Sequence, residues 1–231
     1  MNREHTGVST ALASKVLEQK FKAYDVLDES RSIAEKAVRR IFRKTYNADI
    51  KEFLPLLLTL ETSSNVAAVI GLRNAGHYPL FVENYLTSPI EQLINNIAQK
   101  NKVNRADIVE IGNLVSDING ASYFLFVVLA FALQQAQIKW VAFTMTAVVE
   151  KLLNRLHMEP IVICQAQQSA VANSASSWGS YYHNAPKVSV GSVDDACALL
   201  IKDRRINQLR THFQEDISSL ARSIERGCIN E

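Results

Sequence analysis

The sequence has little that could tie it together covalently or around a metal. Only three of its 231 residues are cysteine. Cys164, Cys197 and Cys228 are odd in number and far apart, so they make neither a disulfide framework nor a zinc site. A reduced, cytoplasmic chain is the expectation, with no metal. Long apolar runs are missing too. The most apolar stretch, Tyr123–Leu133, falls well short of the roughly 18 residues that span a bilayer, and it reads as a buried helix. Met1–Ser14 has no apolar core of the kind a secretory signal carries. An excess of either charge is absent: 25 Lys and Arg against 23 Asp and Glu leave +2, which gives no electrostatic case for nucleic acid. No internal repeat is visible, and no Ser/His/Asp or Cys/His pairing has a local hydrolase signature.

What is present is a chain able to bury a core, with 48% hydrophobic residues. The pattern predicts an α/β (α+β) fold on a mixed sheet. Residues 1–18 read as a flexible N-terminus, 19–195 as the main domain and 196–231 as a C-terminal amphipathic helical extension. Phe21–Leu27 is a candidate first strand. Ser32 opens a helix that Tyr46-Asn47 ends, since Asn tolerates the left-handed conformation. Phe53–Leu60, Val66–Arg73 and Pro79–Tyr85 then read as an antiparallel meander. Ser88-Pro89-Ile90-Glu91 has the form of a helix start with a capping box. From Ile108 the order strand–helix–strand–helix–strand runs to Gln165 and predicts parallel pairing, with helices on both faces. Ala166–Ser177 reads as a loop and Lys187–Val190 as a last strand. Beyond Asp194 the chain reads as helix, with a stripe of Leu209, Phe213, Ile217, Leu220 and Ile224.

Several residues stand out chemically. Glu110 lies in an otherwise apolar strand, where an unpartnered carboxylate is costly. It is either half of a structural ion pair or a general base. Arg73, the only charge in its strand, is its natural partner or the partner of an anionic ligand. Gly112, two residues beyond Glu110, marks either a bulge beside a cleft or a simple relief of packing. The turn holding Gly120 precedes a helix, where N–H groups can hold phosphate, although with one glycine and no nearby Arg or Lys an ordinary N-cap explains it better. Trp178-Gly-Ser-Tyr-Tyr182 gathers three aromatics in a loop that either lines a site or caps the sheet. A tyrosine hydroxyl there could donate a proton.

Gly71-Leu-Arg73, Pro79-Leu-Phe-Val-Glu-Asn-Tyr-Leu86, Pro89-Ile-Glu91, Ile108-Val-Glu-Ile-Gly-Asn-Leu114, Trp140-Val-Ala-Phe-Thr144 and Trp178-Gly-Ser-Tyr-Tyr182 together resemble the thermostable hemolysin family, in the same order, over roughly residues 20 to 195. That family is similar to the GNAT-type N-acyltransferases and especially to the acyl-homoserine-lactone synthases. The resemblance implies a GNAT-like sheet and functional roles for Arg73 and Glu110, with Arg40 and Phe42 as further matches. On an acyltransferase reading the acyl donor is expected near Gly112, Asn113, Gly120 and Trp178, with Tyr181 or Tyr182 protonating the leaving group. Two departures bear on the substrates. Asp49-Ile-Lys-Glu52 replaces the aspartate-rich segment of the synthases, and the glycine-rich pyrophosphate loop of acetyl-CoA enzymes is absent. The implied donor is therefore a carrier-protein thioester or a differently held CoA, and the acceptor a small amine. Membrane lysis, as in the family's name, and a non-catalytic module dimerising through the C-terminal stripe are the rival expectations.

Overall fold

The run Leu56-Leu-Leu-Thr-Leu-Glu61 is apolar at odd and even positions alike, and its burial explains why. Leu56, Leu58 and Leu60 face one side of a sheet and Leu57 the other, all essentially inaccessible. A strand covered on both faces has no polar alternation to show. The computed structural model describes residues 20–63, 65–98, 102–118, 120–171 and 178–227.

In chain order the elements are β1 (Lys20–Tyr24), α1 (Ser32–Tyr46), β2 (Leu56–Glu61), β3 (Val66–Asn74), α2 (Ile90–Ala98), β4 (Ile108–Ser116), α3 (Ala121–Gln135), β5 (Trp140–Met145), α4 (Ala147–Arg155), β6 (Ile161–Gln165), β7 (Lys187–Ser192), α5 (Val193–Leu200), α6 (Arg204–His212) and α7 (Gln214–Gly227). The sheet order is β1-β2-β3-β4-β5-β7-β6. Among the described residues only β4 and β5 pair in parallel, and every other pairing is antiparallel. α1 covers one face of the first strands, and α2 packs beside it under β4 and β5. α3, α4 and the C-terminal helices cover the opposite face.

The end of α1 follows the sequence closely. Asn47 sits at φ 51° and its N–H returns to the carbonyls of Arg43 and Phe42, closing the helix in the left-handed conformation. α3 is buried on nearly all sides because it lies between the sheet and α7.

Four expectations need correction. Pro79–Tyr85 is not a strand: Phe81–Tyr85 forms a short 3-10 turn. Proline donates no ladder hydrogen bond, and carboxylates take the next three backbone N–H groups. Glu83 accepts from Leu80, and Glu110 accepts from Phe81 and Val82. The capping box at Ser88 is also replaced. Glu91 binds Arg105 at 2.7 Å, and it is Glu83 that accepts the first N–H of α2, from Ile90. β6 does not continue a parallel set, because β7 lies between it and β5 and pairs antiparallel with both. Finally, the C-terminal helix is three helices, and its stripe packs on its own chain. Phe213 meets Phe21 edge-on at 5.0 Å, and Ile217, Leu220 and Ile224 join the cluster formed by α3 and β1–β4. The stripe is therefore not a free surface for dimerisation. In the expected loop after Ala166, Gln168–Val171 is a 3-10 turn, and 172–177 lie outside the described residues, as do 1–19.

Candidate active site

The site begins with an irregularity in β4. Val69 pairs with Val115 and Gly71 with Gly112, so β4 carries one residue more than β3 across this interval. Asn113 absorbs it at φ 46°, a left-handed conformation that Asn tolerates better than most side chains. A bulge of this kind turns a strand away from its neighbour. The parallel ladder accordingly ends at Ile111↔Phe143, while β5 continues to Met145 against β7. The fork beyond Ile111 opens into a cleft. Gly112, Asn113 and Leu114 line it from β4, and Thr144 and Thr146 from the other side.

Leu54 closes one wall. Its N–H donates to Asn113 Oδ1 at 2.8 Å, and its carbonyl accepts from the buried Arg31 Nη2 at 2.7 Å. Its side chain lies on Gly112, where an added Cβ would stand 2.9 Å from Leu54 Cδ1. A side chain at Gly112 would therefore displace the end of the Leu54 side chain, and Asn113 directs its side chain to the backbone of this wall.

Glu110 lies at the inner end of the cleft, 3% exposed. It faces Arg73 in the β3–β4 register. Its Oε2 accepts from Phe81 N–H and its Oε1 from Val82 N–H, both at 2.8 Å, while Arg73 Nη1 stays 3.8 Å from Oε2. Burial pushes the carboxyl up to about 7. The two N–H donors and the Arg73 guanidinium limit the rise by favouring the charged form. Arg73 Nη1 also donates to the Pro79 carbonyl, and its buried Nε has no hydrogen-bond partner among the described residues. Nearby, Glu83 is held down to about 2 by its hydrogen bonds with Arg105, which fixes the turn that presents Phe81 and Val82.

The Trp178–Tyr182 loop forms the aromatic wall. Its hinge is Gly179 at φ 52°, where a Cβ would fall 1.9 Å from the Tyr46 carbonyl. Ser180 N–H donates to that same carbonyl at 2.8 Å, so the loop is fastened to the end of α1. Trp178 packs at 5.5 Å from Phe81 and 5.4 Å from Tyr181, and Tyr181 packs at 5.3 Å from Tyr46. The Tyr85 and Tyr182 hydroxyls share a short hydrogen bond. Burial raises the pKa of Tyr181 and of Tyr182, so both are neutral hydrogen-bond donors rather than ready acids.

Of the residues singled out in the sequence, the cleft gathers Arg73, Glu110, Gly112, Asn113, Trp178, Tyr181, Tyr182 and Phe42. Gly120 is elsewhere: it begins α3 at φ 88°, without a side-chain cap, and does not line the cleft. Arg40 is held by Asp117 at 2.7 Å. Leu54 and Phe126 carry no local signal, because each is an ordinary apolar residue until the fold places it on the cleft; Tyr85 and Phe143, which lie within the family motifs but were not singled out, line it as well. Among the described residues no group of three or more His, Cys, Asp or Glu is placed to hold a metal ion, and no helix is long and apolar enough to cross a membrane.

The fold is similar to that of FeeM, an N-acyl amino acid synthase from uncultured soil microbes, at 16% identity and a TM-score of 0.50, covering 80% of this chain and 96% of that one. It is also similar to BjaI, a CoA-dependent acyl-homoserine lactone synthase solved with MTA, at 11% identity and a TM-score of 0.51, covering 82% and 90%. No curated protein matches the sequence. Residues 24–197, well over half of the chain, match the thermostable hemolysin family, and the protein belongs to that family.

Proposed function

We propose that the protein is an N-acyltransferase that moves an acyl group from a CoA or carrier-protein thioester to a small amine. The observation that carries this reading is the fork between two parallel strands beside a buried carboxyl poised at about 7. A thioester placed in the fork would meet the edge of Gly112–Leu114 that has no ladder partner on β5. Backbone N–H groups there would polarise its carbonyl. The acceptor nitrogen attacks the carbonyl carbon, a C–N bond forms, and the C–S bond breaks. Glu110 takes the proton the nitrogen loses, directly or through a water. The thiolate leaves with a hydrogen bond from Tyr181 or Tyr182 and takes its proton from solvent. Arg73 would orient an anionic group of the acceptor. Holding both reactants in one cleft would supply much of the acceleration. The cytoplasm, where such thioesters are made, is the expected location.

The test is single-turnover acyl transfer. Purified protein is mixed with a panel of acyl-CoA and acyl-carrier thioesters and small amines, and the products are read by mass spectrometry. A new amide that disappears in Glu110→Gln is the expected result. Thioester hydrolysis with no amide from any amine would end the reading.

A further inference from the structure

A second cavity of about 370 Å³ lies behind the cleft, large enough for a small-molecule ligand. Its floor is buried and apolar, formed by Leu129, Ala130 and Leu133 of α3 and Leu153 of α4. It shares Ile111, Phe126 and Phe143 with the cleft, so the two spaces adjoin across these side chains, which form a septum. It also has a mouth of its own, where the lining residues His157, Glu159, Ile161, Asp195 and Leu199 are exposed. Among the described residues its lining contains no Lys or Arg, and the carboxylates of Glu159 and Asp195 stand at the mouth beside His157. Such a rim repels a head of net negative charge, while the interior gains by burying hydrocarbon.

We propose that this second cavity binds a single unbranched hydrocarbon chain that brings no net negative charge to the Glu159–Asp195 rim. Two sources share that chemistry. One is the acyl chain of a thioester donor, whose sulfur end stays in the cleft and whose methyl end passes the septum; this source rests on the acyltransferase reading. The other is a single-chain amphiphile with a neutral or zwitterionic head, entering at the rim.

Binding of dodecanoyl-pantetheine, butanoyl-pantetheine, lauroyl-lysophosphatidylcholine and dodecanoate is measured by calorimetry. The proteins are wild type, Ala130→Leu, which narrows the floor, and Leu199→Trp, which crowds the exposed mouth and leaves the core untouched. At least one dodecyl-chain probe should bind roughly tenfold or more tightly than its short or anionic counterpart, since each buried methylene adds affinity. Ala130→Leu should abolish that preference and leave butanoyl-pantetheine unchanged. If the donor is the source, dodecanoyl-pantetheine leads and Leu199→Trp has little effect on it. If a free amphiphile is the source, the lysolipid leads and Leu199→Trp weakens it; failure of both thioesters to bind would then count against the acyltransferase reading and not against the cavity. Thioesters that bind equally well whatever their length, with no lysolipid binding, would overturn the cavity assignment and leave acyl transfer standing. Dodecanoate binding as tightly as the lysolipid would overturn it as well.

Discussion

Arg73 and Glu110 stand opposite each other in the β3–β4 ladder, yet the guanidinium keeps 3.8 Å from a carboxyl whose two oxygens are already taken by Phe81 and Val82. The carboxyl therefore has two tasks, fixing a turn and facing the cleft. Glu110→Gln should affect both. Its amide offers one acceptor oxygen to two N–H donors, so one is left buried and unpaired. Stability should fall by about 1–3 kcal/mol in denaturant unfolding. Acyl transfer per folded molecule should fall by roughly 10²–10⁴-fold, as expected for loss of a general base. Full activity in a destabilised Glu110→Gln would assign the residue to the turn alone.

The pH dependence follows from the same group. The folded carboxyl binds its proton more tightly than the unfolded chain, with a pKa near 7 against an ordinary 4.5. The stability this contributes is complete below 4.5 and is lost as pH rises through 7, by roughly 3 kcal/mol. The melting temperature of the wild type should decline across that window more steeply than that of Glu110→Gln. Activity should run the other way, with kcat/KM rising through about 7 as the base deprotonates. Arg73→Gln removes a charge that favours the carboxylate, so the inflection should move to higher pH. An unmoved inflection would remove Arg73 from the electrostatics of the site.

Asn113 holds the bulge by its backbone and the Leu54 wall by its side chain. Asn113→Gly keeps the left-handed conformation and loses the acceptor, which should cost about 1 kcal/mol. Asn113→Val loses the acceptor and adds left-handed strain, a further ~1–2 kcal/mol. Comparing the two by thermal unfolding separates the contributions. Equal stabilities would mean that the bulge relaxes.

Phe213→Asp tests where the C-terminal stripe belongs. Phe213 is 3% exposed against Phe21, so a carboxylate there should lower the melting temperature sharply. The mass in solution should not change. A shift from dimer to monomer with an unchanged melting temperature would contradict the packing described above.

Parts of this arrangement were legible in the sequence for clear physical reasons. Asn47 could be read as a helix stop because few other side chains tolerate its φ. Glu110 and Arg73 could be paired because isolated charges in apolar strands need partners. The turn at Phe81–Tyr85 was not legible, since what makes it a turn is a carboxylate 28 residues farther on, invisible to local pattern. The insertion of β7 beside β5 was equally hidden, because β6 and β7 read alike as short apolar strands and nothing local ranks their claims on that edge. Leu54 became part of the site only through the close approach to Gly112.

The position of β7 also sets an order of events. The first four strands follow one another in the sheet in their order along the chain, so each can add to the edge left by the last during synthesis. β7 must instead enter between β5 and β6, and the segment that delivers it is the one carrying Trp178, Tyr181 and Tyr182. The aromatic wall is therefore the last part of the cleft to be assembled. A ribosome-bound chain that ends before Lys187 lacks the strand against which β5 runs on beyond Phe143, and it cannot yet enclose a substrate.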